Sequence, residues 1–179
     1  LLELLRLESG GKRLRLMPLD MNLPVHQSLQ GLAILAKEKD IRLEKVLQPE
    51  LPPVPADLGR MLQVVNNLVS NAIKFTPPGG QVVVRTSAST RQGVEGVALT
   101  VEDSGIGIRP EELEKIFHRF HRGRERGTNG EKGTGLGLAI CKEIIQQHEG
   151  TLEVASEKSR GTLMTVWFPT STNPEFLAN

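Results

Sequence analysis

The sequence predicts an α/β protein, and three stretches carry that reading. Residues 57–76, DLGRMLQVVNNLVSNAIKFT, put Leu58, Met61, Leu62, Val65, Leu68, Val69, Ala72 and Ile73 on one broad face of a helix. Residues 81–89 and 97–102 follow as strands, the first opening on a run of three valines and the second reading VALTVE. Residues 135–148 return to helical spacing, and strand candidates at 151–156 and 162–168 close the pattern. Helix and strand therefore alternate along one chain.

Whole-chain properties narrow the class. At 179 residues a single domain with one sizeable core and an appendage is expected. Hydrophobic residues make up 38% and charged ones 24%, an ordinary globular balance. A net charge of +1 argues against a nucleic-acid binder, which carries excess Lys and Arg on one face. The single cysteine, Cys141, excludes an internal disulfide framework and fits a reducing compartment. No apolar run reaches the roughly 18 residues that span a bilayer, and no signal-peptide pattern opens the chain.

Each element has a local reason. Residues 1–8, LLELLRLE, read as the end of a longer amphipathic helix stopped by Ser9-Gly10-Gly11, so the chain looks like an excised piece. Residues 13–17 alternate as a short strand. Asp20 is a cap for a helix over 23–39, with Val25, Leu29, Leu32, Ala33 and Ala36 at helical spacing. Residues 41–47 alternate as a strand, and Pro49, Pro52, Pro53 and Pro55 forbid a continuing helix. Asp57 caps the 57–76 helix, and TPPGG at 76–80 ends it. A six-residue connection, 91–96, makes a hairpin of the next two strands. Residues 110–116 form a short helix with Pro at its first turn and acids near its positive end. Residues 173–179 read as a loose tail.

The chemistry sits where strands and helices end. Asn67, Asn71 and Lys74 stack along one line of the 57–76 helix, opposite its apolar face. That line is either a solvated face or a row of ligands for a metal and a phosphate. DSGIGI at 103–108 follows a strand directly; a strand-end carboxylate can accept from an exocyclic amine, and the glycines permit close approach to a flat ring. Alone, DSGIG is more often an ordinary turn. GTGLG at 133–137 opens a helix whose N–H groups favour an anion, but it is neither a Walker A loop nor a dinucleotide fingerprint. Between them, residues 117–134 carry Arg119, Arg122, Arg124, Arg126 and Lys132, which suit a basic lid over a triphosphate or a solvated loop.

Taken together, VVNNLVSNAIKFTPPGG, VEDSGIGI, KIFHRFHRG and GTGLGLAICKEII resemble the N, G1, F and G2 boxes of sensor histidine kinases. More broadly they are similar to the Bergerat-type ATP-binding fold shared with type II topoisomerases, a heat-shock chaperone and mismatch-repair ATPases. Any one box is weak; four in the right order and spacing are specific, and they cover most of the chain. The resemblance implies a two-layer α/β sandwich, a mixed sheet with helices on one face. It divides the chain into the end of a dimerisation helix and linker (1–16), a catalytic ATP-binding domain (17–170) and a C-terminal tail (171–179).

The resemblance also implies roles. Asn67 would coordinate Mg²⁺, Asn71 would line the same site, and Lys74 would contact the phosphates of ATP. Phe75 stands where the family often has Tyr, so it can pack on adenine without offering a hydroxyl. Asp103 would accept the adenine amine in a pocket shaped by Gly105 and Gly107, with Thr162 beside it. Phe117 and Phe120 would anchor the lid, and Arg122 would reach the γ-phosphate. Gly133, Thr134, Gly135, Leu136 and Gly137 would line the phosphates, the glycines giving backbone donors. Met164 replaces a usual aromatic.

None of the four histidines, His26, His118, His121 and His148, lies in the family's phosphoacceptor context, so all four read as solvated or packing residues; at a helix end a cationic His148 would suit the dipole. The acceptor histidine would belong to the dimerisation domain of the same parent protein. The expected activity is protein-histidine kinase, with phosphate relayed to the receiver domain of a response regulator. The resemblance implies a homodimeric parent and a cytoplasmic domain without membrane or nucleic-acid contact, any sensor or membrane anchor lying outside the chain. Two alternatives remain: a catalytically silent nucleotide-binding regulator, and a serine kinase or ATPase on the same fold.

Overall fold

The computed structural model describes residues 14–118 and 135–170. Eleven elements run in the order β1 (Met17–Leu19), α1 (Asn22–Glu38), β2 (Arg42–Leu47), β3 (Val54–Ala56), α2 (Leu58–Phe75), β4 (Gln81–Arg91), β5 (Val94–Asp103), α3 (Pro110–Leu113), α4 (Gly137–Gln147), β6 (Thr151–Glu157) and β7 (Gly161–Pro169). Five strands form one sheet in the order β2-β4-β5-β7-β6. Only β2 and β4 pair in parallel, so the sheet is mixed.

Strand alternation makes the sheet two-faced. Val82, Val84, Val97, Leu99, Val101, Met164, Val166 and Phe168 share the face that joins the core with Val25, Leu29 and Ala36 of α1, Met61, Val65, Leu68, Val69 and Ile73 of α2, and Ile140, Ile144 and Ile145 of α4. The other face carries cross-strand ion pairs, Arg85–Glu102 at 2.6 Å and Arg91–Glu153 at 2.5 Å. Trp167 lies there too, beneath the Arg91 guanidinium, and its Nε1 donates to the Ser89 carbonyl. Among the described residues helices therefore cover one face only, the expected two-layer sandwich. Met164 is a core residue on the helix side.

α2 is the central helix. Asp57 caps it, its side chain accepting from Arg60 N–H at 3.1 Å. Its apolar face is broader than the spacing predicted: Val64 is buried as well, while Leu58 and Leu62 are half-buried. The N-cap of α1 is Met21, with no side-chain cap, rather than the expected Asp20; Asp20 Oδ1 accepts from Asn22 N–H at 2.9 Å, one residue beyond the cap.

Four further expectations need correction. The first strand lies at 17–19 rather than 13–17, and it pairs with β3, which the run of prolines concealed. Pro18 and Pro55 face each other in that pairing, a two-stranded ribbon where each has no ladder N–H to lose. The β4–β5 hairpin turns on two residues, Gln92 (φ 51°) and Gly93 (φ 80°), not on six. Positive φ at both is the twist-matched geometry for a two-residue hairpin. Helix α3 closes at Leu113 and α4 opens at Gly137, each shorter than its pattern. His148 takes the packing reading, and its cationic one fails: it is buried, and burial lowers its pKa, against the opposing pull of the Ile144 carbonyl and Asp57. Asp57 N–H donates to its Nε2 at 3.2 Å, so Nδ1 carries the proton and donates to the Ile144 carbonyl at 2.7 Å. That neutral ring ties the start of α2 to the end of α4.

Candidate nucleotide site

Asp103 is the last residue of β5, in register with Thr162 of β7. Its Oδ1 accepts from Gly105 N–H at 2.8 Å and Thr162 N–H at 3.2 Å. Burial pushes its carboxyl up to about 6, although both backbone donors pull the other way; neighbouring Glu102 adds to the rise. The chain thus holds a half-buried acid by one oxygen, leaving Oδ2 as its acceptor for something else.

The loop after Asp103 is pinned from two sides. Ile106 N–H donates to the Phe75 carbonyl at the end of α2, and Ser159 N–H donates to the Ile106 carbonyl. Ile108 N–H donates to Ser156 Oγ at 2.8 Å; that hydroxyl donates to the Gly161 carbonyl and lies 2.8 Å from Thr162 Oγ1. Two glycines here are sterically required. Gly107 has φ 67°, and a Cβ would overlap the Glu157 carbonyl; Gly161 has φ 108°, and a Cβ would overlap the Asp103 carbonyl. At Gly105 a Cβ would press on the Phe75 carbonyl and on Asp103 itself.

Asn67, Asn71 and Lys74 are half-buried on α2. Asn67 Nδ2 donates to the Gly137 carbonyl at 3.4 Å, which brings the middle of α2 against the start of α4 and leaves the amide oxygen as the acceptor. Lys74 Nζ lies 5.2 Å from the centroid of the half-buried Phe75 ring. Gly135 has φ 72°, and Leu136 precedes α4, its carbonyl accepting from Ile140 N–H. Gly137 is different from the other glycines: a Cβ would meet Asn67 only at 3.8 Å, an ordinary contact. Among the described residues nothing demands a missing side chain beside Asn67.

The structure therefore brings Asp103, Gly105, Gly107 and Thr162 together, joins them to Phe75 through one backbone bond, and sets Asn67 against Gly137. Phe120, Arg119, Arg122, Arg126, Gly133 and Thr134 lie outside the described residues. Phe117 is half-buried against the core, with Lys142 Nζ 6.0 Å from its ring. Sequence reasoning missed Ser156, a lone serine in an edge strand whose role depends on partners across a hairpin. It also missed Lys39, treated below.

Comparison with known proteins adds an independent line. Residues 56–172 match the family model described as histidine kinase-, DNA gyrase B-, and HSP90-like ATPase. Drug sensory protein A of Synechocystis is 39% identical over 173 residues, 93% of this chain. The chain spans about a quarter of that relative's length, 26%. Among solved structures, a mycobacterial sensor histidine kinase, MprB, matches at 30% identity and TM-score 0.69, over 86% of this chain and 97% of that one. Full-length ShkA in complex with AMPPNP matches at 31% identity and TM-score 0.79, over 97% of this chain and 35% of that one.

Proposed function

The chain belongs to the histidine kinase-, DNA gyrase B-, and HSP90-like ATPase family, and on that premise we propose that it is the ATP-binding catalytic domain of a sensor histidine kinase. The observation that carries this reading is Asp103: an acid held by one oxygen at a strand end, its second oxygen placed to accept the amine of adenine. Phe75 packs on the ring, while Gly105, Gly107 and Thr162 shape the pocket. The relative bound to AMPPNP supports an adenine nucleotide as ligand.

Mg²⁺ fits the Asn67 side of the site. Among the described residues no group of three His, Cys, Asp or Glu could hold a metal. The amide oxygens of Asn67 and Asn71 are hard, uncharged ligands of the kind Mg²⁺ takes alongside phosphate oxygens. When bound, the ion neutralises charge on the triphosphate. Lys74 adds positive charge, as Arg122 would; Gly135, Leu136 and Gly137 lie at the start of α4, where together with Gly133 and Thr134 they would line the phosphates. The absence of a side chain at Gly137, which none of the described residues requires, leaves that room.

The γ-phosphoryl then passes to a histidine nitrogen on the dimerisation domain of the parent protein, ADP leaving, and on to a receiver-domain aspartate of a response regulator. We divide the chain as 1–16, linker and helix end; 17–170, catalytic domain; 171–179, tail. β1 starting at Met17 and Thr170 N–H donating to the Glu95 carbonyl support those limits. Among the described residues no helix is long and apolar enough to cross a membrane.

Calorimetric titration with Mg²⁺-ATP tests the site. Asn67→Ala should weaken binding at least tenfold with Mg²⁺ present and much less with EDTA, as expected for a lost metal ligand. Equal affinity in the variant refutes the assignment. With a separate acceptor-helix domain added, the wild type should form acid-labile phosphate on that domain and none on itself. Acid-stable phosphate would instead favour the serine-kinase alternative.

A further inference from the structure

An α-helix leaves its last four carbonyls without intrahelical partners. In α2 these belong to Ala72, Ile73, Lys74 and Phe75, and no glycine closes the helix: Thr76 has φ −96° and ψ 126°. All four find partners, the Ile73 carbonyl accepting also from Thr76 N–H at 3.4 Å. Thr76 Oγ1 donates to the Ala72 carbonyl at 2.7 Å, and Ile106 N–H donates to the Phe75 carbonyl at 3.1 Å. The middle two are bridged by one side chain. Lys39 Nζ donates to the Ile73 carbonyl at 2.9 Å and to the Lys74 carbonyl at 2.6 Å. Lys39 is only 6% exposed.

Lys39 comes from the end of α1, and its neighbours fasten the same corner. Asp40 turns the chain with φ 57°, and its carbonyl accepts from Gly79 N–H at 2.7 Å. Arg42 N–H donates to the Gly80 carbonyl at 2.9 Å. The α1–β2 corner thus grips both the last turn of α2 and the TPPGG turn beyond it.

We propose that Lys39 is a positioning residue for the nucleotide site, fixing the last turn of α2 so that Lys74, Phe75 and the loop after Asp103 keep their relative places. This rests on the nucleotide reading above. Lys39 holds the last turn of α2 by that turn's main chain. It acts through the Ile73 and Lys74 carbonyls, next to the Phe75 carbonyl that holds Ile106. Helix C-termini favour a cation in their last turn, and here that cation arrives from another helix, buried.

The test is calorimetric titration of Mg²⁺-ATP into the 179-residue chain, with folding followed by circular dichroism. Lys39→Met keeps the apolar stem and removes the donors; it should remain folded and bind about tenfold more weakly, as loss of hydrogen bonds to a buried charged donor implies. Lys39→Arg keeps a donor fork and should recover most of that loss. A merely structural residue would leave the contribution of Lys74 intact. A positioning residue makes Lys74→Ala cost less in the Lys39→Met background than in the wild type. If Lys39→Met fails to fold, Lys39→Gln, with one amide donor, is carried through the same cycle. A folded Lys39→Met or Lys39→Gln that binds within twofold of wild type, or strictly additive losses, overturns the role of Lys39 alone. A wild type that binds no Mg²⁺-ATP overturns the nucleotide reading and this inference with it.

Discussion

Replacing Asp103 by Asn should stabilise the fold while damaging the site. Burial raises this carboxyl from its ordinary 3.8 to about 6. Between those values the native state holds a proton that the unfolded chain has released, so stability falls as pH rises through the window. Above pH 6 the ionised acid costs about 3 kcal/mol relative to the protonated one, taking 1.36 kcal/mol per tenfold change in proton affinity. Asn is nearly isosteric, its oxygen can keep both backbone donors of Gly105 and Thr162, and it carries no charge. At pH 7 the variant should gain roughly 1–3 kcal/mol, on the order of 5 °C in Tm for a domain this size. That advantage should vanish near pH 4. His148 works in the opposite direction: its lowered pKa means the unfolded chain binds more protons below about 6.5, costing stability as pH falls. Because His148 is present in both proteins, only the difference between their urea midpoints isolates Asp103. In the same variant the second position becomes an amide donor facing a donor on adenine, and Mg²⁺-ATP affinity should drop about a hundredfold. Wild-type affinity should itself weaken below pH 6. A stability difference that stays flat from pH 4 to 7 would refute the buried-acid argument.

Three further outcomes follow from the same geometry. Gly161→Ala places a Cβ into the Asp103 carbonyl at φ 108°, so urea denaturation should show a loss of about 2–4 kcal/mol, and a loss under 1 would contradict the strand packing. Asp57→Ala removes the α2 cap and should cost about 1–2 kcal/mol by the same measurement, with no change in Mg²⁺-ATP affinity beyond twofold. Ser156→Ala removes the hydroxyl joining Ile108, Gly161 and Thr162; nucleotide affinity should fall about three- to tenfold, with the Ile108 amide losing hydrogen-exchange protection.

How far the sequence could be read depended on whether a signal was periodic or relational. The 57–76 helix was legible because amphipathic spacing and an Asp cap are both local. β3 was not, since Pro55 reads as a breaker, and only its antiparallel partner at Pro18 makes Val54–Ala56 a strand. The hairpin was placed but mis-sized for a similar reason. Gly96 reads as loop, yet it continues β5 because the Trp167 ring lies over it and leaves no room for a Cβ.

The site divides along the same line. Asn67, Asn71, Lys74 and Asp103 stand in motifs because a ligand-facing side chain must be one particular type at one particular spacing. The residues that hold those motifs together do so mostly through main-chain groups: Phe75 carbonyl to Ile106 N–H, Gln81 carbonyl to Ser104 N–H, Ile106 carbonyl to Ser159 N–H. A backbone bond is indifferent to the side chain that accompanies it, so it leaves no pattern to read. Lys39 and Ser156 are side chains that bond backbone, and they inherit that silence: a lysine at the end of a helix and a serine in an edge strand look like surface residues. Yet the relative placement of Asp103 and the end of α2 passes through just such bonds. A pocket's specificity can therefore be legible while its rigidity is not, and variants at the silent positions are the ones that measure how much of the affinity comes from being held in place.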